Sequence, residues 1–267
     1  MITLFEKFIS RFENPDLGDI IADLNIDGDQ YIRIVDKVAD WYYDNYNISF
    51  LGSGAYGTAF RINNEDNKVL KITTDENEAS NVSYLVKKSG VKGIVDYYDI
   101  HQVDVIENGE ELITVYSIIM EKLYKISDME SGTFMLLFRN YFKNNSDIVN
   151  LYEGFSRKDI GCTFREFKKL NPNNVNKFID RHSNDYYIER YNTEEVKELA
   201  NVYYKDIMDM VESVIKYDLT LGDVHTDNIR KTEDGHMKVI DPGGYSVEHK
   251  KYRSKSAPIK IDITEDE

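Results

Sequence analysis

The chain has 267 residues, 41% of them hydrophobic and 30% charged, with a formal net charge of −15, so it is long enough to bury a real core and has the balance of a water-soluble globular protein. That charge opposes loose adhesion to nucleic acid or to anionic lipid, and neither is expected as a partner. No apolar run reaches the ~18 residues that a membrane span needs. The start, Met1 to Phe8, lacks the apolar centre of a signal peptide, and one cysteine, Cys162, leaves no internal disulfide; a cytoplasmic setting is expected.

In chain order, residues 1–46 read as an N-terminal helical extension. Leu4, Phe5, Phe8, Ile9 and Phe12 fall at helical spacing, as do Ile32, Val35, Val38, Ala39 and Tyr42. Between them, Asp23 to Asp29 matches the first half of a calcium-binding EF-hand loop. The match then breaks, with Gln30 where an apolar residue belongs and Ile34 where the bidentate Glu belongs. The stretch is therefore expected to be a polar turn, with Gly28 taking a positive φ.

Phe50-Leu51-Gly52-Ser53-Gly54-Ala55-Tyr56-Gly57-Thr58-Ala59-Phe60 reads as strand, glycine loop, strand. Without Cβ atoms, Gly52, Gly54 and Gly57 let backbone amides approach a phosphate. A dinucleotide-binding turn requires a helix directly after such glycines, whereas Thr58 to Ile62 alternates as a strand. Lys71 then stands inside the apolar strand Val69-Leu70-Lys71-Ile72, where an ammonium is costly unless an anion meets it. A helix is expected from Asp75 to about Lys88. Two antiparallel strands, Gly93–Asp99 and Ile113–Met120, follow around Asn108-Gly109.

Residues 124–192 are the least informative. Thr133–Phe142, Asp147–Phe155 and Val175–His182 look helical, and Cys162 and His182 read as packing or surface residues. Thr193-Glu194-Glu195-Val196 resembles a capping start for a helix to about Tyr217, with Leu199, Val202, Tyr203, Ile207, Met210, Val211, Val214 and Ile215 on one face.

The chemistry concentrates in Leu221-Gly222-Asp223-Val224-His225-Thr226-Asp227-Asn228-Ile229 and in Asp241-Pro242-Gly243. Between them, two short strands around Lys231–His236 read as a hairpin that sets Asn228 and Asp241 side by side. Hard oxygen ligands of this kind suit Mg²⁺ carrying phosphate, and they leave Asp223 to accept a proton. A polar hairpin with scattered Asp and Asn is the plain structural alternative.

In this order, the motifs resemble those of the protein-kinase-like superfamily. The wording Gly-Asp-x-His-x-x-Asn is similar to that of aminoglycoside phosphotransferases and small microbial kinases. The resemblance spans about residues 48–123 and 193–244. It implies a bilobal α+β fold: residues 47–123 an antiparallel sheet with one helix, residues 124–267 a reduced, mostly helical lobe with the catalytic loop and a short tail. It also implies ATP and Mg²⁺ as cofactors. By resemblance, Asp223 is the base, Asn228 and Asp241 hold metal, Lys71 holds the α/β-phosphates, and the loop Gly52-Ser53-Gly54-Ala55-Tyr56-Gly57 holds the phosphate tail. Glu78, with Glu76 as alternative, pairs with Lys71; the backbone of Glu121 and Lys122 forms a hinge for adenine; and His225 stands near the γ-phosphate.

Departures matter too. Leu221 replaces a His that usually props the catalytic loop, and Pro242 replaces Phe. Only 24 residues follow Gly243, without an Ala-Pro-Glu segment or room for peptide-docking helices, and the basic-then-acidic tail reads as solvated. A protein Ser/Thr kinase is the first expectation, favoured by Tyr56 and the complete Lys/Asp/Asn/Asp set. A small-molecule phosphotransferase is the alternative, and a nucleotide-binding pseudokinase acting as an interaction module is third. The acceptor, a protein or a small molecule, is not identified by the sequence.

Overall fold

Apolar residues at 31, 34, 35, 38 and 42 recur at helical spacing, and in the computed structural model they form the buried face of helix α1 (Gly28–Tyr46). The structure describes residues 28–54, 57–88, 91–142, 155–156, 172–181, 193–221, 224, 226–240 and 257–264. The helix expected over residues 4–12 and the EF-hand-like stretch before Gly28 lie outside them. Gly28 itself opens α1 and is not among the described glycines at positive φ, which corrects the expected turn; Ile34 is fully buried in the core.

The next elements are β1 (Ile48–Gly54), β2 (Gly57–Ile62), β3 (Lys68–Thr73), helix α2 (Glu76–Val86), β4 (Tyr97–Glu107) and β5 (Glu110–Glu121). The turn between β4 and β5 is Asn108-Gly109, both at positive φ (53° and 83°), as a tight hairpin matching the strand twist requires. There follow α3 (Asp128–Phe142), β6 (Phe155–Ser156), α4 (Pro172–Arg181), α5 (Thr193–Tyr217), β7 (Thr220–Leu221), a single turn at Thr226–Asn228, β8 (Ile229–Lys231), β9 (Met237–Val239) and β10 (Ile259–Asp262). The class is α+β.

Two compact units result. The described residues of Met1–Val86, Tyr97–Lys122 and Lys251–Glu267 make the first, and those of Lys87–Asp96 and Leu123–Lys250 the second. These limits differ from those expected. In unit 1 a six-stranded sheet runs in the order β1-β2-β3-β5-β4-β10. All neighbours are antiparallel except β10, which lies parallel to β4 with Ile261 opposite Val105. Residues 259–262 are thus an edge strand and not a solvated tail. Ile261 and Ile263 join one core with Tyr31, Ile34, Val38 and Tyr42 of α1 and Phe60, Leu70, Ile72, Val103 and Val115 of the sheet. Each such side chain contributes about 1.5–3 kcal/mol on burial. Arg33 ties the arrangement, reaching Glu107 at the end of β4 and the carbonyl of Ile263 (3.0 Å). α1, the described part of the expected helical extension, therefore packs into the sheet's own unit.

Unit 2 is mostly helical. α5 runs over the expected span with Tyr203, Ile207, Met210, Val211 and Val214 buried, and Tyr203 packs edge-on to Phe134 of α3. The strand expected at Gly93–Asp99 divides. Tyr97 begins β4, whereas Gly93–Val95 pairs with β9 (Val95 N–H to Val239 O and Val239 N–H to Gly93 O, both 3.0 Å). Gly93 has φ +68°, and a Cβ there would stand 2.4 Å from Met210 Cβ, so only glycine lets this segment lie against α5. Of the expected helix 147–155, Phe155 is described, and it lies in the two-residue strand β6 paired with β7. Among the described residues no helix is long and apolar enough to cross a membrane.

Candidate active site

In unit 1 the glycine loop is a β-hairpin. β1 and β2 pair up to Gly54 opposite Gly57, enclosing Ala55 and Tyr56, which lie outside the described residues, as do the side chains of Ser53 and Gly54's surroundings. A strand, not a helix, follows the glycines, which removes the dinucleotide-binding alternative. Gly57 is the position that sterics fix. A Cβ there would lie 2.5 Å from the Ile72 carbonyl oxygen and 3.2 Å from Lys71 Cε, whereas one on Gly52 meets nothing within 4 Å. The bare backbone at 57 thus leaves space for the Lys71 stem as it passes beneath the turn.

Lys71 sits mid-strand, opposite Ala59 of β2 and Ile118 of β5. Its Nζ donates to Glu78 Oε1 at 2.6 Å, with the two side chains 19% and 2% exposed. A short local circuit sets this geometry. Thr73 Oγ1 accepts the Asp75 N–H (3.2 Å), and Asp75 Oδ1 accepts the N–H groups of Asn77 (2.7 Å) and Glu78 (3.2 Å). Asp75 is thus the N-cap of α2, and Glu78 falls in the first turn, where the helix dipole favours a carboxylate. Of the two acidic residues considered, Glu78 and not Glu76 meets Lys71. From the far side of the sheet, Tyr31 of α1 approaches Thr58 of β2. Burial pushes its phenol up to about 12, with the Thr58 hydroxyl and the Lys71 charge acting the other way.

At the expected hinge, one backbone donor is already used. Glu121 ends β5 opposite Lys68, but the Lys122 N–H donates to the Asn67 carbonyl at 2.8 Å. That amide is committed to closing the β3–β5 edge and does not point an open donor at a base.

In unit 2, Val224 is fully buried and so anchors the segment between β7 and the turn at Thr226–Asn228. β8 and β9 form the expected hairpin, with Ile229 opposite Val239 and Lys231 opposite Met237. At its open end the Ile240 N–H donates to the Asn228 carbonyl at 2.8 Å, so the backbone at 228 faces residue 240. Asp223, His225 and Asp241 lie outside the described residues. Among those that are described, no group of three or more His, Cys, Asp and Glu could hold a metal ion. The expected donor set, the Asn228 amide and the Asp241 carboxylate, is all oxygen and fits Mg²⁺ in chemistry.

Two carboxylates that the sequence reading passed over hold this hairpin. Glu130 of α3 accepts from Lys231 Nζ (2.7 Å), the Ser127 N–H (2.7 Å) and the Tyr203 hydroxyl (3.3 Å). Burial acts to raise the Glu130 carboxyl, but Lys231 and Ser127 outweigh it and hold it below the usual range. Asp206 of α5 is 5% exposed; its Oδ2 accepts the Met237 N–H and its Oδ1 meets His236 Nδ1, both at 2.8 Å. Burial raises its carboxyl, with Met237 and His236 opposing. The signal for Asp206 was in the sequence: it stands three residues from Tyr203 and four from Met210, an acid on the apolar stripe of α5.

An antiparallel sheet with its strand lysine paired to a helix glutamate, and a helical unit that carries a long helix and a short hairpin, make an α+β fold of the kind the resemblance implies. No protein-family model and no curated protein sequence matches the chain. Among solved structures, the GDP and kanamycin complex of APH(2″)-IIia is 11% identical, with 78% of this chain aligned to 73% of that one at a TM-score of 0.34. The streptomycin–ATP–APH(2″)-IIa ternary complex is 15% identical over 78% and 70% at 0.31. The ADP-bound aminoglycoside phosphotransferase APH(2″)-Ib is 13% identical over 78% and 70% at 0.29. Superpositions this loose carry no functional weight, and the chemistry rests on the side chains described above.

Proposed function

We propose that the chain is an ATP-dependent phosphotransferase acting on a hydroxyl acceptor, and that the acceptor is a small molecule. The observation that carries the first part is the Lys71–Glu78 pair beneath Gly57: a strand ammonium oriented by a buried carboxylate at the root of a glycine turn. A second observation bears on the acceptor. The wording Gly222-Asp223-Val224-His225-Thr226-Asp227-Asn228 is similar to that of aminoglycoside phosphotransferases, whose acceptors are small hydroxylated amines. A protein hydroxyl, the first expectation from the sequence, therefore becomes the second reading.

In this mechanism Lys71 holds the α/β-phosphates, with Glu78 fixing its direction, and the backbone of residues 52–57 cradles the phosphate tail. The backbone of Glu121 borders the base. Asn228 and Asp241 would hold Mg²⁺, which would supply charge neutralisation for the phosphates. Asp223 accepts the proton of the acceptor hydroxyl as the new O–P bond forms and the bond from the β,γ-bridging oxygen to the γ-phosphorus breaks; His225 donates a hydrogen bond to the transferring group. Positioning and charge neutralisation supply most of the rate in such chemistry.

The test is incubation of the purified protein with Mg²⁺ and γ-labelled ATP, beside Asp223→Ala, across a panel of hydroxylated amines and sugars. ADP release stimulated by one compound and lost in the variant is the expected result. Label on the protein itself, lost in the variant, moves the acceptor to protein Ser/Thr. ATP bound without turnover under every condition removes the enzyme reading.

A further inference from the structure

From the geometry of the β8–β9 hairpin we infer that Asp206 is a positioning residue for Asn228, holding the hairpin that carries it; this rests on the phosphotransferase reading, in which Asn228 holds metal. Successive outward-facing amides along one edge of a strand lie two residues apart, and on β9 these are Met237 and Val239. The Val239 N–H is taken by the Gly93 carbonyl at 3.0 Å. The short Gly93–Val95 segment does not extend to Met237, whose N–H is taken by Asp206 Oδ2 at 2.8 Å. The carboxylate thus stands in for the missing backbone acceptor, since a buried N–H without one is costly.

The other oxygen of Asp206 adds a second hold on the same turn through His236 Nδ1 at 2.8 Å. On the opposite strand, Lys231 and Tyr124 exchange backbone hydrogen bonds of 2.7 and 3.0 Å. With both edges held, the register Lys231–Met237 and Ile229–Val239 is fixed, and the hairpin's open end is fixed with it, where the Asn228 carbonyl receives the Ile240 N–H. A slip of one residue would turn every side chain of β9 to the other face and would move residue 240 away from Asn228.

The experiment uses the full chain and two readouts other than turnover. Mn²⁺ binding in the presence of a non-hydrolysable ATP analogue is titrated by the EPR signal of free Mn²⁺, and amide exchange over residues 229–240 is followed by mass spectrometry. Asp206→Ala is expected to raise the Mn²⁺ dissociation constant by about tenfold, the lower end of what outer-shell partners of metal ligands contribute, with faster exchange in the hairpin and unchanged exchange in β1–β5. Asp206→Asn keeps an acceptor for Met237 and is expected to stay well inside the about tenfold loss of Asp206→Ala. If Asp206→Ala does not fold, His236→Ala, at a side chain 46% exposed, removes one of the two holds and is expected to weaken Mn²⁺ measurably but by less than the about tenfold of losing both. Faster hairpin exchange with an unchanged Mn²⁺ constant would make Asp206 purely structural and overturn the inference. Asn228→Ala separates the two levels: unchanged Mn²⁺ binding in that variant removes the metal reading itself, whatever Asp206 does.

Discussion

Replacing Lys71 by methionine tests the centre of the site most directly. The change leaves the Glu78 carboxylate, whose side chain is 2% exposed, facing a thioether in place of an ammonium at 2.6 Å. Removing one partner of a buried ion pair costs about 3–5 kcal/mol, because the remaining charge must stay desolvated or take up a proton. Glu78→Gln is the milder member of the pair. Lys71 is 19% exposed and its stem lets the ammonium move toward water, so the loss is nearer the ~1.5–3 kcal/mol of a charged hydrogen bond. The double change Lys71→Met, Glu78→Leu removes both charges at similar volume and is expected within about 1 kcal/mol of the wild type. Urea unfolding reads this out through Trp41, the chain's one tryptophan, which packs edge-on to Tyr42 in the same unit. Phosphate transfer is expected to be lost in both Lys71 variants, so that the double variant recovers stability without recovering turnover. A double variant as unstable as Lys71→Met would refute the coupling, and a Lys71→Met that transfers phosphate at the wild-type rate would refute the assigned role.

Gly57→Ala forces a Cβ to 2.5 Å from the Ile72 carbonyl and is expected to cost about 1–3 kcal/mol, as overpacking does, and to raise KM for ATP. Gly52→Ala, with open space around it, should stay within about 0.5 kcal/mol; equal effects of the two would contradict the steric account. Asp75→Ala removes the cap that bonds the Asn77 and Glu78 amides. It should cost about 1 kcal/mol and speed exchange in the first turn of α2 without affecting unit 2. Burial, with Asp40 adding to it, pushes the Asp36 carboxyl up to about 6. A raised carboxyl binds its proton more tightly in the folded state, so its contribution is full below the ordinary value and is lost as pH rises through 6. Asp36→Asn should therefore gain in Tm over the wild type between pH 4 and 7, and parallel curves would show that this group does not titrate as described.

Much of this was legible because the relevant physics is local. The glycine hairpin, the strand around Lys71, the Asn108-Gly109 turn and the full span of α5 are each written in contiguous residues, and Glu78 lies seven positions from Lys71. What was missed depends on distant chain. Ile259-Lys260-Ile261-Asp262-Ile263 alternates as a strand should, yet its partner is β4, some 150 positions earlier in the sequence, and no local signal states that pairing. Gly93–Val95 reads as the start of β4, but it belongs with β9 because α5 passes beside Gly93. That the Lys122 N–H is taken by the Asn67 carbonyl across the β3–β5 edge depends likewise on a distant partner.

The same division, local against distant, describes how the two kinds of functional side chain are held. Lys71 is set by a circuit of eight residues, strand to Thr73 to Asp75 to Glu78 and back, closed by a helix cap and one ion pair. Such a circuit can form as soon as β3 and α2 do. Asn228 sits at the end of a hairpin three residues a side, too short to persist alone, which is held by Glu130, Asp206, Tyr124 and Gly93, each from a different part of unit 2. Changes near the Lys71 circuit should therefore act mainly through the residue changed. Changes anywhere in the packing of α3, α5 or residues 93–95 should reach the Asn228 end through backbone register. Acceptor and metal behaviour would then respond to many substitutions in unit 2, while phosphate binding would answer to few and nearby ones in unit 1.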